Sequence, residues 1–302
     1  MKRIWLALAA VLFALAVPAS AGPRIAITFD DLPAHGDLPP GTTRVDVAKA
    51  IIAALTDVHA PPIYGFANGE ALVGDPDSKR VLPLWLGAGF PLANHTYSHL
   101  NLDERSALDW EADTLKNEAV LARLMGKRDW HWLRFPYLAE GDTPAKHIAV
   151  RTFLAEHGYR IAAVTLSFDD YLWNDPYARC AAKGDNAAIA QLESAWLEAA
   201  QSSLAYEHNL SMQLYGRDID YILLMHIGAF DARMLPQLLN LYRAKGVQLI
   251  SLEEAMRDPF YRFDSNPRLP PGPVTLEQAM TARGLSFTDQ PAPTLQFDTL
   301  CR

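Results

Sequence analysis

The chain has 302 residues, of which 50% are hydrophobic and 21% are charged, and its formal net charge is -8 at pH 7. This composition is that of a globular protein with a sizeable core, and it excludes a disordered tail, a collagen, a coiled coil and a disulfide-stapled miniprotein. Because phosphate affinity depends mainly on Lys and Arg, an acidic chain without a basic stripe is also poorly suited to bind nucleic acid.

The first 21 residues predict a secretory signal peptide. Lys2 and Arg3 give a positive start, residues 4–17 form an apolar run, and residues 19–21 read Ala-Ser-Ala, a small-residue cleavage site. An amphipathic first helix or a membrane anchor is the alternative, but the run is shorter than the roughly 20 residues that cross a membrane. We therefore expect a mature protein that is exported to the periplasm or the extracellular space, without stable insertion into a membrane.

Export bears on the two cysteines, Cys180 and Cys301. In an oxidising compartment they can form a disulfide that ties the C-terminal tail to the body, or they can remain two buried thiols. A disulfide that closes so long a loop contributes at most roughly 4–5 kcal/mol. The sequence leaves both states open.

Short apolar runs alternate with amphipathic stretches along most of the chain. Seven runs predict strands, at residues 24–29, 63–66, 90–93, 130–135, 161–166, 221–225 and 247–250. Four stretches with apolar residues at three- and four-residue steps predict helices, at residues 45–58, 107–124, 145–156 and 235–244. Such alternation predicts parallel strands joined by helical crossovers, and therefore an α/β sheet or a barrel of about seven strands.

Two segments depart from this alternation. Residues 171–220 lie between the fifth and sixth runs and include an Ala-rich helical stretch at 186–206, which predicts an insertion that forms a lid or wall over one end of the sheet. Residues 263–302 are rich in proline and predict a C-terminal extension with one short helical piece. The main domain is therefore expected to span residues 22–262.

Polar residues are concentrated where the predicted strands end. These clusters are Asp30-Asp31, His95 with His99, Arg134-Phe135-Pro136-Tyr137, Asp169-Asp170 and His226. The carboxyl ends of parallel strands meet at one edge of the sheet, and active sites of α/β folds form there. We therefore expect the five clusters to form a single site.

Two histidines and an aspartate pair are the residue types of a metal site. His95 and His99 are four residues apart, so both imidazoles can reach one ion from one face of a helical turn, although this spacing is also typical of surface or capping histidines. A carboxylate from Asp30 or Asp31 would complete a three-ligand site with an open position, the arrangement of hydrolytic zinc. These residues predict a divalent metal, with Zn²⁺ as first choice, and leave the second carboxylate to accept a proton.

Arg134 and His226 supply the other groups that such chemistry needs. A guanidinium beside a carboxylate keeps it ionised and oriented, although an arginine at a strand end can equally be a solvated surface residue. His226 ends an apolar strand, where a lone histidine is ordinarily a buried core residue. Opposite a metal site it becomes a candidate general acid.

The sequence resembles the polysaccharide deacetylases, also called the NodB homology domain or carbohydrate esterase family 4. The resemblance rests on five motifs in order, T-F-D-D, H-T-x-S-H, R-F-P-Y, an Asp pair after a strand, and L-x-x-H. It spans roughly residues 24–226. It implies a distorted (β/α) barrel that holds a divalent metal, usually zinc, and removes acetyl groups from N-acetylated sugars or acetylated glycans.

The resemblance also implies roles for individual residues. Asp30 resembles the catalytic base of the family, and its metal-binding triad corresponds to Asp31, His95 and His99. Arg134 matches the arginine that holds the base.

Further roles follow on the acid and substrate sides. His226 matches the catalytic acid, and Tyr137 matches the residue whose backbone N–H helps to bind the oxyanion. Leu224 is expected to line the acetyl pocket, and Trp173 to contact substrate.

Departures from the family pattern affect three places. Leu32-Pro33 follows the first Asp pair where the family often has Gly-Pro. His35 in the same loop could contact substrate, but a solvated loop histidine is the expectation. Trp173 is preceded by Leu172 instead of an aspartate, so Asp169 or Asp170 must orient the acid histidine. The insertion at 171–220 could narrow the cleft.

Alternatives to sugar N-deacetylation remain open. The same site could remove acetyl groups from esters, or hydrolyse a formamide or another small amide. The chain could also be a glycan-binding protein without activity, whose aromatic residues stack on sugar rings. The joint presence of base, ligands, arginine and acid favours an enzyme, while the sequence indicates neither the particular glycan nor the oligomeric state.

Overall fold

The computed structural model describes residues 22–302, so the predicted signal peptide lies outside the described residues. The strands are β1 (Arg24–Leu32), β2 (Tyr64–Ala67), β3 (Leu92–Asn94), β4 (Trp132–Leu133), β5 (Arg160–Ile161), β6 (Asp220–His226) and β7 (Gln248–Leu249). The helices are α1 (Arg44–Asp57), α2 (Ser78–Gly87), α3 (Ala107–Met125), α4 (Pro144–Glu156), α5 (Asn174–Lys183), α6 (Asn186–Tyr215), α7 (Ala229–Ala244), α8 (Leu252–Ala255) and α9 (Leu276–Ala282). Between residues 22 and 302, no helix combines the length and the apolar character needed to cross a membrane.

All strands pair in parallel within one seven-stranded sheet, in the order β5-β4-β3-β2-β1-β6, and β7 pairs with the start of β1. The longest pairing joins β1 to β6, in a register that places Asp30 opposite His226. A bridge between Leu166 and Leu223 brings the chain that follows β5 beside β6, so the sheet curls towards a barrel. The predicted α/β fold with about seven parallel strands is confirmed.

Burial on both faces explains the apolar composition of the central strands. Ile25, Ala26 and Phe29 in β1 are fully buried, as expected when helices cover both sides of a parallel sheet. Helices α1 and α3 start within one residue of their predicted positions, because the side chains of Thr43 and Ser106 accept backbone N–H groups there. Helix α7 begins six residues earlier than predicted, directly after β6.

The segment predicted as an insertion contains two helices, α5 and α6, and the second continues to Tyr215. Helix α5 packs against α6 and α7, while α6 also packs against α7 and α9. Leu192, Trp196 and Leu204 on α6 are buried in the same core as the sheet. The segment is therefore a wall beside α7 that shares the main core.

The C-terminal extension packs back onto this body. The Arg151 guanidinium donates hydrogen bonds to four carbonyl oxygens of the extension, those of Phe263, Asp264, Asn266 and Leu269. Cys180 on α5 and Cys301 form a disulfide with a Cα–Cα distance of 5.1 Å. Of the two cysteine states that the sequence left open, the structure contains the disulfide.

Candidate metal and catalytic site

The polar clusters at the strand ends lie together at the carboxyl edge of the sheet, around a cavity of about 320 Å³. This volume is within the range of small-ligand sites, roughly 300–1,000 Å³. The lining residues are Asp30, Asp31, His35, His95, His99, Phe135, Tyr137, Leu138, Ser167, Asp169, Tyr171, Leu224 and His226. Parallel pairing produces this convergence, because it places the carboxyl ends of the strands at one edge.

Asp31, His95 and His99 present three ligand atoms to one another. Asp31 Oδ1 lies 3.2 Å from His99 Nε2 and 3.5 Å from His95 Nε2. Ligands placed about 2.0–2.1 Å from a tetrahedral zinc ion are about 3.3 Å apart, so these separations match such a site. Asp31 Oδ1 is also buried without a hydrogen-bond partner. An orphaned carboxylate oxygen that faces two imidazole nitrogens fits a divalent cation.

The surroundings of His95 and His99 favour the forms of the imidazole ring that can bind a metal ion. His95 Nδ1 lies 2.8 Å from the carbonyl oxygen of Arg134, so Nδ1 carries the proton and Nε2 is left to face Asp31. Burial, together with the neighbouring His95, lowers the pKa of His99 to about 4. A neutral imidazole is the form that binds metal.

Asp30 and Arg134 form a buried ion pair beside this group. Arg134 Nη1 lies 3.2 Å and 3.3 Å from the two carboxylate oxygens of Asp30, and neither side chain is more than 3% exposed. The other guanidinium nitrogens donate to the carbonyl oxygens of Ala162 and Ala163 and to the Thr28 hydroxyl. Because these partners occupy the whole guanidinium, Arg134 is fixed in place and orients the carboxylate of Asp30.

His226 lines the same cavity, on the strand that pairs with β1, and is held by Asp170. The Nδ1 atom of His226 is 2.9 Å from Asp170 Oδ1, and its backbone N–H donates to Asp170 Oδ2 at 2.6 Å. Burial disfavours the charged imidazole, but the charge and hydrogen bond of Asp170 outweigh it and raise the pKa of His226 to about 10. Of the two candidates for orienting this histidine, Asp170 is the one in contact with it, whereas Asp169 is exposed at the edge of the cavity.

A further carboxyl group, which the sequence analysis missed, lies behind this pair. Asp231 in the first turn of α7 is fully buried, and Asn174 Nδ2 donates to its Oδ2 at 2.8 Å. Burial and the charge of Asp170 raise the pKa of Asp231 well above its ordinary value, which favours the neutral carboxyl group. From the sequence alone, an acidic residue in a first helical turn indicates only favourable interaction with the helix dipole.

The residues predicted to contact substrate are placed differently from one another. Tyr137 is 66% exposed at the rim, with its ring 4.5 Å from that of His99, and Leu224 lines the cavity. Trp173, the third residue predicted to contact substrate, does not line the cavity. It is fully buried and packs against Phe297. The aromatic residue of this segment on the cavity wall is Tyr171, whose ring lies 5.4 Å from that of His226.

His35 is also placed differently from its prediction as a solvated loop histidine. Its Nδ1 lies 2.7 Å from Asp31 Oδ2, and its ring is 4.7 Å from that of His226. The four-residue spacing from Asp31 to His35 equals that from His95 to His99. This spacing is the sequence feature that could have indicated the contact between His35 and Asp31.

Backbone strain is concentrated in the loops of this site. Among residues 22–302, eight residues other than glycine have φ in the left-handed region. Six of them belong to the loops around the cavity: Asp31, Thr96, His99, Tyr137, Leu138 and Asp169. Each such conformation costs on the order of 1–3 kcal/mol and persists only where the surroundings enforce it. Clustering of this kind is typical of functional sites.

A family sequence model described as polysaccharide deacetylase matches residues 19–162. The matched span contains Asp30, Asp31, both ligand histidines and Arg134, and it ends before Asp170 and His226. No curated protein sequence matches the chain.

Solved structures with the same fold include two described as deacetylases and one described as a pseudoenzyme. A chitin deacetylase from the fungal pathogen Colletotrichum lindemuthianum is 19% identical, with a TM-score of 0.52, over 79% of this chain and 89% of that chain. A mutant of the peptidoglycan deacetylase PdaC from Bacillus subtilis is 18% identical, with a TM-score of 0.51, over 78% and 92%. A pseudoenzyme of carbohydrate esterase family 4 from Bacillus anthracis is 12% identical, with a TM-score of 0.54, over 78% and 66%. Because a pseudoenzyme shares the fold, the fold alone does not establish catalysis.

Proposed function

We propose that this chain is a member of the polysaccharide deacetylase family and a metal-dependent hydrolase that removes acetyl groups from the N-acetylated sugars of a polysaccharide or oligosaccharide. One observation carries the proposal: a three-ligand group shares one cavity with a carboxylate held by an arginine and an imidazole held by an aspartate. A glycan-binding protein has no need for this combination. Hydrolysis of an amide needs all of it, because a water must lose a proton and a nitrogen must gain one.

The ion would be held by Asp31, His95 and His99, whose nitrogen and oxygen donors suit Zn²⁺. A divalent ion at such a site polarises a carbonyl group and lowers the pKa of water to about 7. The roles described below belong to the protein side chains around it.

Asp30 is the proposed general base. Its Oδ2 lies 3.7 Å from His95 Nε2, so the carboxylate is adjacent to the ligand group, where an attacking water would be activated. Arg134 holds this carboxylate in place beside the cavity. Asp30 therefore accepts the proton that the water loses as it attacks the acetyl carbonyl.

His226 is the proposed general acid. An amine cannot leave as an anion, so the departing nitrogen must receive a proton. The pKa of about 10 keeps His226 charged at neutral pH, and Asp170 occupies Nδ1, so the proton available to substrate is the one on Nε2. Because His226 lines the cavity, this proton reaches the leaving group without a change of fold.

The residues that line the cavity support a sugar substrate. Leu224 provides an apolar wall for an acetyl methyl group, and the backbone N–H of Tyr137 is proposed to bind the developing oxyanion. Tyr137 and Tyr171 are both exposed and line the cavity, so both rings are available to stack on sugar rings. We also propose that residues 1–21 direct export, which would bring the enzyme to cell-wall or environmental glycans.

An acetate-release assay on purified protein tests this proposal. N-acetylated oligosaccharides related to chitin and peptidoglycan are compared with O-acetylated xylan and with small formamides, before chelation, after chelation and after addition of Zn²⁺. We expect release from an N-acetylated sugar that chelation abolishes and zinc restores, with Asp30→Asn as the inactive control. Preference for the ester or the formamide would select one of those alternatives, and glycan binding without turnover by the zinc-loaded protein would refute the enzyme assignment.

A further inference from the structure

We propose that His35 is a positioning residue for the metal site: it donates a hydrogen bond to one oxygen of Asp31 and thereby directs the other oxygen towards the ion. The inference rests on the proposed function, since it concerns the same ligand group. It extends that function by giving a role to a loop in which this chain departs from its family.

The two oxygens of Asp31 have separate partners. Oδ2 lies 2.7 Å from His35 Nδ1, whereas Oδ1 faces His95 and His99 and has no hydrogen-bond partner. An ionised carboxylate only accepts hydrogen bonds, so the proton between the two groups is on the imidazole. Because this bond fixes Oδ2, rotation of the carboxylate is restricted and Oδ1 stays aimed at the ligand group. Hydrogen bonds of this kind to metal ligands tune affinity in other metal sites.

His35 is itself held in place by its neighbours. The Arg44 guanidinium donates to the carbonyl oxygens of His35 and Gly36 at 2.7 Å and 2.6 Å. The backbone N–H of Asp37 donates to Asp175 Oδ1 at 2.8 Å, which joins the loop to the first turn of α5. Gly36 has φ +62°, and a Cβ there would lie 2.9 Å from Asn174 Cβ. The loop after the Asp pair is thus fitted against the inserted segment, so two of the three departures from the family pattern, this loop and the insertion, meet here.

An alternative is that His35 is a ligand. Ligand atoms of Asp31, His35 and His226 also lie within 4.8 Å of one another. However, the 2.7 Å between His35 Nδ1 and Asp31 Oδ2 is a hydrogen-bond distance, shorter than the roughly 3.3 Å between two tetrahedral zinc ligands. His226 Nδ1 is also occupied by Asp170. The contacts therefore favour a positioning role over a second ion.

Zinc affinity, measured by competition with a chromophoric chelator on the full chain, tests the proposal. His35→Ala removes the donor, and His35→Asn places an amide N–H close to the former position of Nδ1. His208→Ala is the matched control, because His208 Nδ1 also lies 2.7 Å from a carboxylate oxygen, that of Asp218, at an exposed position outside the cavity. We expect His35→Ala to weaken zinc binding about 10- to 100-fold, His35→Asn to recover most of this loss, and His208→Ala to match the wild type.

Three results would overturn the inference. They are an unchanged affinity in His35→Ala, an equal loss in His208→Ala, and two zinc ions per wild-type chain with one in each His35 variant. If His35→Ala does not fold, His35→Leu, which keeps the bulk and lacks the donor, replaces it with the same expected loss.

The measurement also separates this inference from the proposed function. Loss of zinc affinity in His35→Ala, combined with a wild type that releases no acetate from any substrate, would support the positioning role and refute the deacetylase. A wild type that binds no zinc would overturn both.

Discussion

Replacement of Asp170 by Asn is the sharpest test of how this site delivers a proton. The carboxylate of Asp170 outweighs the burial of His226 and raises the pKa of that imidazole from 6.5 to about 10. A change of this size corresponds to about 5 kcal/mol in favour of the charged form. In Asp170→Asn the burial remains and the largest charge that raises the pKa is lost, while the charges of Asp31 and Asp30 stay, so the pKa of His226 should fall well below 10. The side-chain amide can also donate to Nδ1, which favours the neutral ring.

The assay is kcat/KM for acetate release between pH 5 and pH 10, on the substrate that the wild type turns over best. His226 acts in its protonated form, so a lower pKa moves the alkaline limb of the profile to lower pH. If the pKa of His226 falls to about 6, only about a tenth of the variant is protonated at pH 7. Above that pH, each further unit should cost about another tenfold relative to the wild type.

Asp169→Asn is the matched control, because it makes the same chemical change one residue away. Asp169 is exposed at the edge of the cavity, and the contacts of His226 Nδ1 and its backbone N–H are with Asp170. We expect Asp169→Asn to keep the wild-type profile. An Asp170→Asn enzyme with an unmoved alkaline limb, or an equal displacement in both variants, would refute the reasoning.

Other predictions concern the base, a buried carboxyl group and the disulfide. Asp30→Asn should retain zinc, measured by elemental analysis, and should lose at least about 10²-fold in kcat. His95→Ala should instead lose the metal. Full activity in Asp30→Asn would contradict the base assignment. Burial, with a contribution from the charge of Glu277, raises the pKa of Glu207 to about 9, so stability should fall as pH rises from about 4.5 to 9. Glu207→Gln should therefore be more stable at pH 7 by at most about 3 kcal/mol in urea unfolding and should show no gain near pH 4; a loss at pH 7 would oppose this. Reduction of the disulfide, compared with a Cys180→Ser variant, should lower the free energy of unfolding by about 2–4 kcal/mol, and no change would show that the tail is held by its other contacts.

The order of elements could be predicted because it depends on local periodicity. Each strand overlaps its predicted run, since an apolar run bounded by polar residues has the same signature wherever it lies in the sheet. Helix α2 was missed, because Pro83 interrupts its pattern. The short strands β4, β5 and β7 show that an apolar run sets the position of a strand better than its length.

The sequence by itself determined the base, the arginine, the ligand histidines and the acid histidine of the proposed site, and the strand ends at which they lie, but not His35 or Asp231. Tertiary structure alone decided whether Asp169 or Asp170 contacts His226, and whether Tyr171 or Trp173 lines the cavity. Asp169 has φ +55°, which separates the directions of adjacent carboxylates, and only Asp170 then meets His226, 56 positions away. The same geometry buries Trp173 and leaves Tyr171 on the cavity wall. Contacts between such distant segments depend on individual backbone dihedral angles. A linear pattern of residue types does not specify those angles.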